Sequence, residues 1–165
     1  MKKKLMFLVL CLFCSVVFLS ACNSAIPKLL RNPDADPEKQ AEIMREHGWN
    51  VRVEDGDTFN EKLPNHEIEN LVWCVFGMKF TPNDFDPNST QKIVQEQANI
   101  YYFDTVESAE NYEKIMQEGL NKDRQELIDY YKQFGVRVSV KIMRNEKTCI
   151  SYARFSGRAI DLSRS

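Results

Sequence analysis

The chain has five cysteines, and what each could do depends on its position. Cys11, Cys14 and Cys22 lie near the N-terminus, whereas Cys74 and Cys149 fall in two predicted strands farther along the chain. In an oxidising compartment the last two could form a disulfide, which would stabilise the fold by roughly 4 kcal/mol in the chain-entropy model. The alternative is two separate thiols that pack as small core side chains.

A cysteine nucleophile needs a neighbouring base, and the two histidines are the candidates for that role. His47 is predicted at the C-terminus of a helix, where its charged form would interact favourably with the helix dipole. His66 falls in a polar loop, and residues 66–70 lack the second histidine of a zinc-protease helix. A solvated loop histidine is the simpler interpretation, so the sequence does not favour Cys–His catalysis.

Residues 84–90 carry oxygen ligands at alternate positions, as the first half of a calcium-binding loop does. Ser89 stands where the glycine of the sharp turn should be, and Gln95 stands where a bidentate glutamate should be. We interpret the segment as a turn rich in asparagine and aspartate. Phosphate-binding glycine loops and a serine nucleophile elbow are also missing, so the sequence predicts no metal and no cofactor.

Adjacent aromatic residues are the remaining candidates for a binding role. In a strand, Tyr102 would face away from Tyr101 and Phe103, while Tyr130 and Tyr131 are neighbours on a predicted helix. An exposed pair could stack against a sugar or a peptide, whereas core packing is the simpler role for most of these rings.

The first 21 residues differ sharply in composition from the rest of the chain. Three lysines at positions 2–4 precede an uncharged run from Leu5 to Leu19. This pattern predicts a secretory signal peptide, because the apolar run is too short to cross a bilayer comfortably as a helix. An uncleaved N-terminal membrane anchor is the alternative.

The residues that end this run favour the signal peptide. Leu19-Ser20-Ala21-Cys22 resembles the lipobox of bacterial lipoproteins, which is an aliphatic residue, two small residues and a cysteine. The resemblance implies that the Cys22 thiol receives a diacylglyceryl group and becomes the first mature residue, held in the membrane by acyl chains such as palmitate. In general character, although not in any motif, the chain is also similar to small uncharacterised lipoproteins of Gram-positive bacteria.

Cleavage after residue 21 would change the charge of the chain. It removes three lysines and no acids, so the net charge would change from −2 to −5. A mildly acidic chain without a basic run does not favour binding to nucleic acid. It also offers no polybasic patch to anionic lipid, so the lipid on Cys22 would attach the protein to the outer, extracytoplasmic face of the cell membrane.

The mature chain is predicted to contain one domain. Residues 22–35 have two prolines and little periodicity, which predicts a tether, and the domain is expected over residues 36–165. Asp36 followed by a proline predicts the start of a helix, and Gly48 predicts its end.

Strand and helix patterns follow in order. The predicted strands are residues 49–53, 71–76 with a continuation towards 80, a strand ending at 99–103, and residues 136–142 and 149–155. Residues 71–76 are apolar at every position, which predicts a central strand covered on both sides. Asp55-Gly56-Asp57 and Arg144-Asn145-Glu146 predict turns. For residues 105–134 we favour two helices over one, with Asp104 and Glu107 as a capping box at the start.

This order predicts an α+β domain in which helices pack on one face of an antiparallel sheet. The expected function is binding or envelope assembly without catalysis, with the membrane and an unknown protein or envelope component as partners. The alternatives are a lipid-anchored hydrolase of cell-wall or peptide material and a protein inhibitor or immunity factor. A hydrolase should have a pocket with several titratable groups of shifted pKa, whereas a binding protein should expose an apolar or aromatic patch.

Overall fold

The computed structural model of the chain describes residues 26–63, 67–82 and 92–157. These residues form four helices and five strands. In chain order the elements are α1 (Lys28–Arg31), α2 (Pro37–Glu46), β1 (Asn50–Asp55), α3 (Gly56–Glu61), β2 (Leu71–Pro82), β3 (Lys92–Phe103), α4 (Val106–Gln133), β4 (Val136–Asn145) and β5 (Thr148–Gly157).

The five described strands form one antiparallel sheet in the order β1-β2-β3-β5-β4. Strands that follow each other closely in the chain pair directly, and α4 connects central β3 to β4 at the edge. The predicted α+β class with an antiparallel sheet is confirmed. Each predicted strand is present but longer, because backbone pairing continues past the residues whose side chains are buried. The last turn accordingly falls at Glu146 and Lys147, after β4 has continued to Asn145.

Helices cover both faces of this sheet, whereas we expected them on one face. Successive strand residues face opposite sides, so Cys74 and Val75 belong to two different apolar clusters. We call the side packed by α1 and α2 the α2 face, and the side packed by α3 and α4 the α4 face. The apolar run 71–76 is covered on both sides at Cys74 and Val75, which are 0% exposed, whereas Val72 and Trp73 near its start are exposed and the expected cover is missing there among the described residues.

Residues 26–35, which we expected to belong to a tether, pack against the sheet. Leu30 in α1 is 0% exposed and lies in the apolar cluster of the α2 face. The buried amide of Gln40 ties this segment to α2, since its Nε2 donates to the Leu29 carbonyl at 3.2 Å and its Oε1 accepts from Asp34 N at 2.9 Å. Burial of Leu30 outweighs the irregular composition of the segment, so the folded unit begins before Asp36.

The first long helix, α2, confirms the prediction from its boundary residues. The Asp36 carboxylate accepts from the backbone N of Glu38 at 3.0 Å, and Pro37 is the first helical residue. Gly48 has φ of +81°, a conformation that L side chains rarely adopt, and it ends the helix region. Trp49 then returns to the core beside Met44.

The predicted turn at Asp55-Gly56-Asp57 is wrong, because a short helix begins there. Asp55 is the N-cap of α3, and its carboxylate accepts from Thr58 N at 2.9 Å and from Thr58 Oγ1 at 2.7 Å. A Cβ at position 56 would overlap the Leu71 carbonyl, so glycine is required where α3 passes β2. The Asp-Gly pair therefore serves as a helix start rather than as a hairpin turn.

Residues 106–133 form one continuous helix, and our preference for two helices is wrong. Gly119 lies inside α4 and does not end the helix, and open space surrounds its Cβ position. The cap is Thr105 rather than Asp104: its hydroxyl accepts from Ser108 N at 3.0 Å. A single glycine lowers helix stability by only about 1 kcal/mol, which a helix of 28 residues tolerates.

Candidate functional site

Cys74 and Cys149 are free buried thiols, and the structure does not pair them. Both lie on the α4 face opposite Tyr101 of β3, Cys74 on β2 and Cys149 on β5. Two strand spacings separate them, about 9.5 Å between backbones, which is farther than a disulfide can bridge. The sequence could not decide this, because strand order determines it.

Neither thiol is suited to nucleophilic chemistry. Burial raises the pKa of Cys149 to about 12, with a further rise from the Glu113 charge and an opposing effect of Arg144. Burial also raises the pKa of Cys74, with smaller effects of Glu54 and Arg52. The thiolate is the reactive form, so both residues act as apolar core side chains, which is the second of the two roles considered from the sequence.

The two cysteines belong to a row that crosses the whole sheet. In register order it runs Glu54, Cys74, Tyr101, Cys149 and Arg144, one residue from each strand. A charged residue stands at each end of the row, on the two edge strands, and three weakly polar side chains stand between them. The middle of the α4 face is therefore a dry layer.

Each charge at the ends of this row is paired within the domain. The Glu54 carboxylate is 8% exposed and accepts from Lys62 Nζ at 2.6 Å and from Arg52 Nε at 3.0 Å. Arg144 Nε donates to Glu113 Oε2 of α4 at 3.3 Å. These pairs offset the cost of burying the charges, and the fold accounts for them, although both cations of Glu54 contact Oε1 and its Oε2 is buried without a hydrogen-bond partner among the described residues.

Five aromatic rings, one of which is Tyr101 of the row, form a group on the same face of the sheet. Phe59 of α3 contacts Phe76 at 5.2 Å and Tyr101 at 6.2 Å between ring centroids. Tyr112 of α4 contacts Tyr101 at 5.0 Å and Phe103 at 5.4 Å. The rings bridge α3, the central strands and α4, which positions the two helices against the sheet.

An open groove of about 1160 Å³ lies between the α3 side and the first turns of α4. We call it the α3–α4 groove. Tyr101 contributes from the sheet, and the other apolar lining residues are Phe59, Leu63, Ile68, Tyr112, Ile115 and Met116. Ile115 is 64% exposed, although it is a large aliphatic residue. The groove thus presents apolar and aromatic surface to solvent, as binding sites commonly do.

Hydrogen bonds hold the wall of the groove that precedes β2. The Asn60 side chain binds the backbone of Ile68 twice, accepting from its N at 2.9 Å and donating to its carbonyl at 3.1 Å. Asn70 Nδ2 donates to Ser108 Oγ of α4 at 3.1 Å, which joins the two walls at one end. Side-chain hydrogen bonds therefore position Ile68 and Asn70 in the segment before β2 against α3 and α4.

The polar part of the lining is acidic. Glu67, Glu69 and Glu107 are exposed lining residues, and no lysine or arginine is among the described residues of the groove. No described residue forms an ion pair with any of the three carboxylates. The groove therefore combines an apolar floor with negative charge that the described part of the domain does not balance.

The titratable groups of the floor are two tyrosines. Burial raises the pKa of Tyr101 to about 12, and its hydroxyl accepts from Asn99 Nδ2 at 3.5 Å. Burial also raises the pKa of Tyr112, with smaller contributions from the neighbouring Tyr101. Both hydroxyls are protonated at neutral pH, so they can bind a ligand but are not suited to act as a general base.

Other residues singled out from the sequence lie elsewhere. His47 is exposed at the C-terminus of α2, as predicted, and its Nδ1 lies 2.8 Å from the Ile43 carbonyl. Tyr102 faces away from Tyr101 and belongs to the α2 face, as the strand pattern predicted. Cys22, His66 and residues 84–90 lie outside the described part of the chain.

The other adjacent pair, Tyr130 and Tyr131, lies near the end of α4. Tyr130 is 54% exposed and packs edge-on against Tyr131 and Phe134, both at 5.3 Å between centroids. Tyr131 also contacts Phe155 of β5 at 5.3 Å. This cluster fastens the end of the helix to the sheet and does not adjoin the groove.

Sequence reasoning missed most of the groove. Phe59 lay in no predicted helix or strand, and nothing in the sequence indicated that Glu67, Glu69 and Glu107 would lie around one groove. Ile115 offered a usable signal, because it is a large apolar residue off the buried stripe of its helix.

Among the described residues no cluster of three or more metal-ligating side chains is present. No helix in the described ranges is long and apolar enough to cross a membrane.

Comparison with known proteins adds no relative: no family model, curated protein or solved structure matches the chain.

Proposed function

We propose that this protein is a lipid-anchored lipoprotein on the extracytoplasmic face of the cell membrane, and that its α+β domain binds a ligand in the α3–α4 groove. The anchor rests on Leu19-Ser20-Ala21-Cys22 and the leader before it. The binding role rests on one observation, an open groove whose floor is apolar and aromatic. Such a surface gains free energy when a partner removes it from water.

Binding accounts for the groove better than hydrolysis does. The groove contains two titratable groups with shifted pKa, which a hydrolase would also show, but both are tyrosines whose pKa is raised by burial. A general base near neutral pH requires a group whose pKa lies near that pH. The thiols beneath the floor are protonated for the same reason, since burial raises their pKa. An inhibitor or immunity factor would be a special case of the binding role.

The anchor is tested by replacing the lipidated sulfur. Cys22→Ser removes the thiol that diacylglyceryl transfer requires, while the rest of the chain is unchanged. We expect loss of metabolic labelling by a fatty acid analogue, accumulation of the unprocessed form and release of any processed form from membranes. Cys14→Ser, in the same leader, is the matched control and should leave labelling intact. Normal processing and membrane retention of Cys22→Ser would refute the anchor.

The binding role is tested by crosslinking from the groove. A photoreactive amino acid at Ile115 would report on the groove, and the same group at Ile128 provides a control on the same helix, 39% exposed and outside the groove lining. In intact cells we expect a discrete adduct from position 115 that position 128 does not give. Equal adducts from both positions, or none from position 115, would refute a binding site in the groove.

A further inference from the structure

The charge around the α3–α4 groove selects its occupant. Two carboxylates of the α4 face that are at least half-buried have cationic partners, Glu54 with Lys62 and Glu113 with Arg144. The three groove carboxylates have none among the described residues, although each is placed beside apolar surface. An anionic ligand would be repelled by all three charges, whereas a cationic ligand would be attracted.

The dimensions of the groove favour a polypeptide segment over a small amine. Its volume of about 1160 Å³ is at or above the upper end of the range for small-molecule sites, which is roughly 300–1,000 Å³. Its described lining extends from Phe59 in α3 to Met116 in α4, and it is open to solvent. A segment with several side chains could fill this space, while one aromatic amine would leave much of the floor wet.

We propose, on the basis of the binding role above, that the groove binds a segment of a partner protein in which lysine or arginine residues flank aromatic or large aliphatic residues. The apolar side chains cover Tyr112 and Ile115, and the cations lie beside Glu67, Glu69 and Glu107. These three carboxylates, which form the rim of the groove, then obtain the counter-charges that the described part of this domain does not supply. This arrangement separates affinity from selectivity, since the floor supplies buried area and the rim rejects acidic segments.

The test uses the full chain from residue 22 with Cys22→Ser, so that no detergent competes for the apolar floor. The probe is a fluorescent hexapeptide in which lysine alternates with tryptophan and leucine. Matched peptides carry glutamate or glutamine in place of lysine, and tryptamine serves as the small-amine competitor. Fluorescence anisotropy gives the Kd of each peptide at two salt concentrations.

The rim is tested by a triple variant, Glu67→Gln, Glu69→Gln and Glu107→Gln. We expect it to weaken binding of the lysine peptide by roughly 3- to 125-fold, since each exposed charge pair contributes about 1.4- to 5-fold. The control triple variant carries glutamine at Glu42, Glu46 and Glu118, which are exposed acids outside the groove lining. It changes the net charge equally and should bind as the unsubstituted chain does. Higher salt should weaken lysine-peptide binding to the control and much less to the rim variant.

Four results would contradict the proposed occupant. Equal Kd values for the two triple variants, tight binding of the glutamate peptide, no binding of the lysine peptide, or tryptamine competing as well as the lysine peptide would each overturn the proposed occupant. An adduct specific to position 115 would survive such a result, so the binding role and the nature of the partner fail separately.

Discussion

The two faces of the sheet are built from alternate residues of the same strands, yet helices cover them differently. On the α2 face, Leu30 and Met44 are 0% exposed and Tyr152 is 1% exposed, beneath two short helices. On the α4 face, a helix of 28 residues has Ala109 as its buried residue, and its N-terminal half forms one wall of a groove. The longer helix therefore leaves more apolar surface accessible than the shorter ones do.

The difference lies in where each helix contacts the sheet. Helix α2 packs against β1 and β2, and α1 with its flanking residues extends the cover towards the centre of the sheet. Helix α4 packs mainly against edge strand β4 and less against β5 and β3. The part of the α4 face over β2 and β3 is reached by Phe59 and Tyr112 from either side. One face is thus closely covered, whereas the other leaves apolar surface open at the groove.

The largest effect should follow from truncating a buried side chain of α1 on the α2 face. Leu30→Ala removes a fully buried side chain, and we expect a loss of about 2–5 kcal/mol in the free energy of unfolding. Lys28→Ala, two residues earlier and exposed, should change it by less than about 0.5 kcal/mol. Urea denaturation followed by circular dichroism measures both. If the two variants are equally stable, residues 26–35 are a tether after all and the contrast between the faces is weaker.

Smaller effects, opposite in sign, should follow from replacing one glycine by alanine on each side of the sheet. A Cβ at Gly77 on the α2 face would overlap Met44 and lie 3.0 Å from the Trp49 ring. Gly77→Ala should therefore lower the free energy of unfolding by about 1–3 kcal/mol. At Gly119 of α4 a Cβ meets nothing within 4 Å.

Because alanine suits a helix better than glycine, Gly119→Ala should raise the free energy of unfolding by about 0.5–1 kcal/mol. Thermal denaturation of the two variants beside the unsubstituted chain shows the sign directly. Destabilisation at both positions would mean that α4 is more tightly covered than the structure shows.

An effect that is absent at neutral pH and appears only at alkaline pH concerns the dry layer beneath the groove. The pKa of Cys149 is raised from 9.0 to about 12, chiefly by burial. Below pH 9 the thiol is protonated in both states, whereas between pH 9 and 12 only the unfolded chain loses the proton, so stability falls by roughly 1 kcal/mol per pH unit.

Cys149→Ala removes this contribution. Its free energy of unfolding, although lower at pH 8, should fall less steeply between pH 9 and pH 11 than that of the unsubstituted chain. Urea midpoints across this range measure the difference in slope. Parallel curves for the two proteins would show that water already reaches the thiol, and that the floor of the groove is not dry.

The outcome for particular residues shows how far local patterns reach. Asp36 and Gly48 delimit α2 as predicted, because a capping carboxylate and a left-handed glycine act within one helical turn. The same local signals misled at Asp55 and Gly56, where the Asp-Gly pair starts a helix, and at Gly119, which α4 passes through. At Gly56 the close approach of the Leu71 backbone, distant in the chain, outweighs the local preference for a turn. At Gly119 the cost of one glycine, about 1 kcal/mol, is too small to interrupt a helix of 28 residues.

The sequence by itself determined the α+β class, the five strands and the presence of a pattern that predicts a lipid anchor at Cys22, because periodicity, capping and the lipobox are local properties. Only the tertiary structure decided that β3 lies between Cys74 and Cys149, that helices occupy both faces, and that aromatic and acidic residues far apart in the chain enclose a groove. Strand order and helix placement depend on which distant surfaces exclude water together, and no short stretch of residues encodes that choice.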